Sequence, residues 1–518
     1  MKKKSFVVIA VFFVLAAVAT LFSACSVIGN NTADGGDETD VTECEHNWEK
    51  SSYVPGDCRT YGYTVFTCTK CGETKIVYDT EYGAHSFLNH VCTICGERES
   101  TKYTVSLGDD VTAYIYSVGV ATSTYEAVIG GNGACEDFSS SPFSGYSDTL
   151  VNVIIESGVT SLGDYVFSNC TALKTVSGGA DLTKIGAHAF ENCSSIVSLA
   201  FADKITEIGG YAFASCVALK TFAFDGDSAK IEPFAFYRCN ALTEISVPLP
   251  KTDGTFSAES VFGAVFGYTD EETGGAGQTV FIDGKTYYYY VPNALVTANF
   301  SGKGEIPQYM FYGCGTIVTL TVSGNVSGIA AHAFEKMAKL QSASLGESLA
   351  SIGDYAFASC SELHSFNAPA GLTELGGHAF EECENLEAFT FAGDGPTLIR
   401  EYAFSRCSSL KTVKLGAAVS SIGSEAFSNC SSMTSVTLGA GLKTITEGAF
   451  NACTKLGTVF IDSGDAVCLP DNASDLFSNA GEIYVLDKLT VPTSSYISKN
   501  YDRKGLDNNL GYVLWNKN

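Results

Sequence analysis

Two sets of residues have the types and spacing to do chemistry. The first lies between positions 44 and 97, where Cys44, His46, Cys58, Cys68, Cys71, His85, His90, Cys92 and Cys95 crowd together. Cys68/Cys71 and Cys92/Cys95 are Cys-x-x-Cys pairs that each run into glycine, CTKCGE and CTICGE, with 20 residues between them. Such a knuckle aims two sulfurs at one ion, and two knuckles complete a tetrahedral zinc site. Cys44, His46, Cys58 and His85 form a second set of four, with His90 in reserve. The competing reading is a disulfide-stapled minidomain, which suits an exported chain. Bridges inside Cys-x-x-Cys are usually redox-active rather than structural. A module this small needs a staple of some kind.

The second set is a cysteine that returns. IGDYAFASC at 352–360 has near copies: LGDYVFSNC at 162–170, IGGYAFASC at 208–216 and IGSEAFSNC at 422–430. Cys170, Cys193, Cys216, Cys239, Cys314, Cys360, Cys383, Cys407, Cys430 and Cys453 share one place in a repeat. A line of equivalent residues does not converge on a metal. Neighbouring coils about 4.8 Å apart hold parallel Cβ atoms slightly too far apart for easy bridging. Free cysteine is small, apolar and commonly buried. Met337 fills the same place and can only pack there. These cysteines are therefore expected to be free, buried spacers.

The elements that carry them follow from the period. Phe167, Phe190, Phe213 and Phe236 are 23 residues apart, and Phe311, Phe334, Phe357, Phe380, Phe404, Phe427 and Phe450 continue the series. One step is 24, where Gly395-Pro396 lengthens a loop. A fixed period of this length predicts a solenoid. In Leu410-x-x-Val413-x-Leu415 and Ile196-x-x-Leu199-x-Phe201, apolar and polar residues alternate as in a short strand. The Phe-x-x-Cys spacing predicts a helical turn with both side chains on one face. Stacked coils then share a continuous core.

The repeats resemble the type 5, BspA-like leucine-rich repeats of bacterial surface proteins, over about residues 140–490. Residues 126–158 are similar to that family's lead-in and 483–515 to its terminal coil. The resemblance implies a leucine-rich-repeat solenoid, each coil a short strand plus a helical turn, and a role in adhesion to matrix proteins, mucosal glycans or other cells. Within the gap between Phe236 and Phe311, the Phe262-Gly263 and Phe266-Gly267 pairs, the loop 269–277 and Val291-Pro292 read as one enlarged, irregular coil. The front segment resembles small Cys/His-rich modules of bacterial surface proteins, through His46-Asn47-Trp48, Cys68–Gly72 and His85.

Composition narrows the partners. The chain has 518 residues, 45% of them apolar, and a formal net charge of −26. So acidic a surface argues against nucleic acid or anionic lipid as the main partner, since both need basic patches. MKKK followed by the apolar run 5–20 reads as a signal peptide, too short for a membrane span. With Ser23-Ala24-Cys25 it resembles a bacterial lipoprotein signal in which Cys25 is lipidated. Phe22 stands where that signal usually has leucine, and Leu21 is one place early. Ordinary secretion after nearby cleavage is the alternative.

The expected organisation is a signal peptide over 1–24, a tether over 25–43, a Cys/His-rich zinc-ribbon-like module over 44–100 and a solenoid cap over 101–160. A first repeat block over 161–250, the irregular coil over 251–305, a second block over 306–480 and a C-terminal cap over 481–518 follow. The expected protein is a monomer on the bacterial cell surface, touching the membrane only through its lipid. Structural zinc in 44–97 is the only cofactor expected.

No catalytic constellation is legible. His188, His332 and His378, each two residues before a repeat Phe, read as solvated variants on the turn, and His364 as a strand residue; none has a Ser or Asp at a recognisable spacing. Two binding candidates remain. The third strand place should face outward and is occupied by Thr175, Ser198, Thr221, Glu244, Thr297, Thr319, Ser342, Ser365, Ala388, Thr412, Ser435 and Thr458. This hydroxyl ladder either only suits strands or offers a regular polar face to a glycan or an extended protein. The other candidate is Tyr287, Tyr288, Tyr289 and Tyr290, of which alternation should bury two. The chain thus reads as a non-catalytic adhesion protein. A polysaccharide-capture subunit and a purely architectural spacer are the rivals.

Overall fold

A computed structural model describes residues 46–55, 61–70, 72–82, 87–88, 91–94, 103–118, 124–226, 229–249, 261–267, 277–282, 284–462, 477, 480–486, 501–507 and 512–517. Two compact units are distinguished, one comprising 1–88 and 92–97, the other 89–91 and 98–518. In the first, strands Trp48–Val54, Tyr61–Cys68 and Thr74–Tyr82 form an antiparallel sheet.

The second unit is the solenoid. Apolar residues at the fourth and sixth strand places turn inward, and the strands pair in parallel with the coil period as their register. Leu199 faces Phe222, Phe222 faces Ile245, and Val413, Val436, Val459 and Ile483 continue the same column in the second block. A second parallel ladder comes from the two or so residues before each Gly, such as Ser351–Ile352 beside Glu374–Leu375. The ends are closed by antiparallel strands. Tyr103–Ser106, Val111–Val118 and Thr124–Gly131 form a meander before the first coil, and Tyr512–Lys517 and Tyr501–Asp507 pair beyond the strand Glu482–Leu486. Closure of this kind protects the open edges of a parallel sheet.

One expectation is corrected. The described residues contain no α-helix, and the Phe-x-x-Cys segment is a train of tight turns. In IGDYAFASC, Ala356 N–H bonds Gly353 O, Ala358 N–H bonds Tyr355 O and Cys360 N–H bonds Phe357 O. The alternate amides leave the coil: Tyr355, Phe357 and Ser359 donate to Gly377, Ala379 and Glu381 of the next one, at 3.0, 2.8 and 2.7 Å. A helix would spend all those donors internally. The turns share them between coils, so the turn face is stitched as the strand faces are. This requires left-handed backbone two residues before and two after each Phe, as at Tyr355 (φ 57°) and Ser359 (φ 57°). The coils approach closely here: a Cβ on Gly353 would lie 2.6 Å from Ala331 N of the previous coil.

The core is a column of rings. Phe311, Phe334, Phe357, Phe380, Phe404, Phe427 and Phe450 stack with centroids 5.0–5.5 Å apart. Where the period lapses, the short 3-10 turn Phe262–Val265 takes the place of a repeat turn. Phe234 and Phe236 N–H donate to Ala264 and Val265 O, and Phe262 N–H donates to Met310 O. The strand Thr297–Ser301 then pairs with Glu244–Pro248. The hairpin Gly277–Ile282/Lys285–Tyr290 is inserted between that turn and that strand. Gln278, fully buried, fixes it: its Oε1 accepts Gly263 N–H at 2.6 Å and its Nε2 donates to Met310 O at 2.9 Å.

Candidate functional site

The repeat cysteines are buried and lie outside any disulfide. They do more than fill space. Cys360 Sγ donates to Phe334 O at 3.2 Å, Cys383 Sγ to Phe357 O at 3.1 Å and Cys430 Sγ to Phe404 O at 3.2 Å, and the pattern recurs through the first block. Eight of the ten thiols, those other than Cys170 and Cys314, supply a weak donor to a carbonyl of the preceding coil, deep in the core. Met337 packs in the same place, where it has no such donor. Burial raises the thiols of Cys170, Cys216 and Cys360 to about 12 and pushes up those of Cys314, Cys383 and Cys407 as well, so none is a nucleophile near neutrality.

The expected solvated histidines are also corrected. His188, His332 and His378 have side chains only 24%, 24% and 21% exposed. Each lies flat between aromatic rings of adjacent coils. Tyr165, His188, Tyr211 and Phe234 form one stack. Tyr309, His332, Tyr355, His378 and Tyr402 form another, with centroids 4.3–5.0 Å apart. Each His Nδ1 also meets the carboxylate three residues on: Glu191 at 2.8 Å, Glu335 at 2.5 Å and Glu381 at 2.7 Å. The stacking offsets the cost of left-handed backbone at these non-glycine residues. The signal was present in the sequence, since nine of the eleven residues at this place are Tyr, His or Phe. With the faces covered by each other, only ring edges reach solvent. His364 lies just before its strand, which starts at Ser365.

The strand face is arranged as its spacing predicts. Thr297, Thr319 and Ser342 are direct neighbours in register, as are Ser365, Ala388, Thr412, Ser435 and Thr458. Thr319, Ser342, Ser365 and Thr412 are exposed and Ser435 is half-buried. Part of the face bonds to itself. Ser198 and Thr221 hydroxyls are 2.6 Å apart, Asn299 Nδ2 donates to Glu244 Oε1 at 3.0 Å, and Thr390 donates to Asn367 Oδ1 at 2.6 Å. The tyrosine run behaves differently from simple alternation. Tyr289 alone is fully buried, in a small cluster with Val261, Ala264 and Val280. Tyr287, Tyr288 and Tyr290 are half-buried, and Tyr290 Oη donates to Asn240 Oδ1 at 3.1 Å. Tyr290 packs against the main core and Tyr287 against the small cluster.

In the front unit, Cys44, Cys58, Cys71, His85 and Cys95 lie outside the described residues, as do His90 and the lipidation candidate Cys25. Cys92 falls in the strand Val91–Cys92. Cys68 is buried, at the start of a loop closed by Cys68 N–H to Glu73 O at 2.7 Å and Gly72 N–H to Cys68 O at 2.8 Å, with Gly72 left-handed. His46 Nε2 is 3.1 Å from Glu73 Oε2 and its ring stacks on Trp48. Among the described residues, no group of three or more His, Cys, Asp or Glu side chains converges as metal ligands would. No described helix is long and apolar enough to cross a membrane.

The stacked parallel strands, the turn train and the closed ends define a leucine-rich-repeat type of solenoid. The chain belongs to the BspA type leucine-rich repeat family, whose region is matched in six copies over residues 136–258, 285–395 and 394–492. Similar solved structures include a leucine-rich repeat protein from Bacteroides ovatus, 20% identical over 68% of this chain and 87% of that one, with a TM-score of 0.33. A leucine-rich cell surface protein from Faecalibacterium prausnitzii is 19% identical over 70% and 96%, with a TM-score of 0.25. The pneumococcal vaccine antigen PcpA is 15% identical over 75% and 94%, with a TM-score of 0.20. No match is found among curated proteins.

Proposed function

We propose that this protein is a non-catalytic binding or adhesion protein of the bacterial cell surface, lipid-anchored at Cys25, that presents its solenoid to an extracellular protein or glycan. One observation carries the reading: an exposed polar strand face, in register coil after coil, on a surface whose acidity disfavours nucleic acid and anionic membranes. The turn face is a poorer candidate because its rings are occupied with each other. In the same reading, structural zinc holds the 44–97 module through Cys68, Cys71, Cys92 and Cys95, with Cys44, His46, Cys58 and His85 as a second set. The buried Cys68 at the mouth of a tight glycine loop suits a knuckle; metal content of the purified module tests it.

The functional test is a screen of residues 26–518 beside 103–518 against matrix proteins and a glycan array. Saturable binding retained by the shorter chain supports a site on the solenoid. Binding lost with the module moves the site to 44–97. Failure of both to bind would sink the adhesion reading and favour the spacer or the polysaccharide-capture subunit.

A further inference from the structure

The strand face is not uniform. At the fifth strand place, Thr321, Ser344, Asn367, Thr390 and Lys414 stand outward in the second block. In the first block the same column holds two successive alanines, Ala200 and Ala223. Truncation to a methyl group in adjacent coils opens a groove of about 430 Å³ that runs on past Ser246 to Asn299 and Ser301. Its floor is apolar: the two methyl groups, the half-buried ring of Phe201, and Phe224 and Val247 beneath. Two exposed carboxylates, Asp203 and Asp225, line one end. At the other, Asn299 is held by Glu244 and Ser246, its Nδ2 donating 3.0 Å to each.

We propose that this groove is a glycan-binding site for one or two neutral sugar rings. The assignment rests on the binding reading above and names its place and ligand class. A pyranose ring needs an apolar surface for its C–H face, acceptors for its hydroxyl protons and donors for its oxygens. The floor, Asp203 with Asp225, and the hydroxyl of Ser246, which accepts from Asn299 and so can still donate its own proton, supply the three in that order. The volume lies within the range of small-molecule sites. A cationic side chain would use the carboxylates but not the hydroxyl, and an anionic sugar would be repelled by them, so a neutral glycan uses the most of what lines the groove.

The test uses residues 26–518 with D-glucose, D-galactose, D-mannose, N-acetylglucosamine and their β-linked disaccharides, read by saturation-transfer NMR and titration. Ala223→Leu refills the floor, and Asp225→Asn keeps shape while removing a charged acceptor. Each should weaken the bound sugar about 10-fold or more with an unchanged melting temperature. Sugar binding that survives both substitutions overturns the groove assignment and leaves the adhesion reading intact. No binding by any sugar of the panel overturns the glycan class, and a protein ligand found in the matrix screen would then still support adhesion. Asp225-dependent capture of a lysine-rich peptide in place of sugar also overturns it.

Discussion

Raising the pH should unfold this protein through its buried thiols. A thiol is neutral when protonated, so burial in the folded coil favours the protonated form. Nine repeat cysteines, Cys170, Cys193, Cys216, Cys239, Cys314, Cys360, Cys383, Cys407 and Cys430, have values pushed up from the ordinary 9.0 by burial, those of Cys170, Cys216 and Cys360 to about 12. The unfolded chain releases those protons above pH 9 and the folded one does not. Their contribution is therefore fully present below pH 9 and is lost as pH rises from 9 toward 12. At pH 10 an unfolded thiol gains about 1.4 kcal/mol from ionisation. Nine together reach about 13 kcal/mol, comparable with the whole stability of an ordinary domain. Because coils are coupled to their neighbours only, the loss is shared out coil by coil. Urea unfolding at pH 7 and pH 10, in reductant, measures it. Tyrosines also ionise in this range, so Cys383→Ala provides the control. Its stability should fall between the two pH values by about 1.4 kcal/mol less than that of the parent chain. Equal falls, or thiolate absorbance appearing while the chain is still folded, would refute the reasoning.

At neutral pH the same Cys383→Ala removes both sulfur volume and the donor to Phe357 O, and should cost about 2 kcal/mol in urea unfolding. Gly353→Ala forces a Cβ against the backbone of the previous coil and should cost more than about 2 kcal/mol, read as a lowered melting temperature. Ser359→Gly relieves left-handed strain and should be neutral or stabilising by up to about 1 kcal/mol, whereas Ser359→Val should destabilise. Gln278→Ala should speed amide exchange in the 277–290 hairpin while leaving the Phe column protected, because its three anchoring partners all lie at the join.

The sequence by itself determined the period, the coil boundaries, the buried Phe and Cys columns and the outward ladder. Each of these is a one-dimensional pattern, and a solenoid turns sequence spacing directly into neighbour relations. Thr319, Ser342 and their equivalents met in register because a 23-residue step is one coil. The place of Met337 likewise told that the cysteine site is a packing site. Tertiary structure decided what depends on contacts between coils. Phe-x-x-Cys has the spacing of a helical turn, but the competing use of Tyr355, Phe357 and Ser359 amides by the next coil made it a train of turns. The histidines carry no sign of burial within their own coil, and their shelter comes from tyrosines 23 or 24 residues away on each side. The thiol donors, the hold of Gln278 on its hairpin and the groove over Ala200 and Ala223 likewise exist only once neighbouring coils are stacked. A pattern along the chain specifies which residues recur, whereas hydrogen bonds and cavities are set by what the adjacent coil places against them.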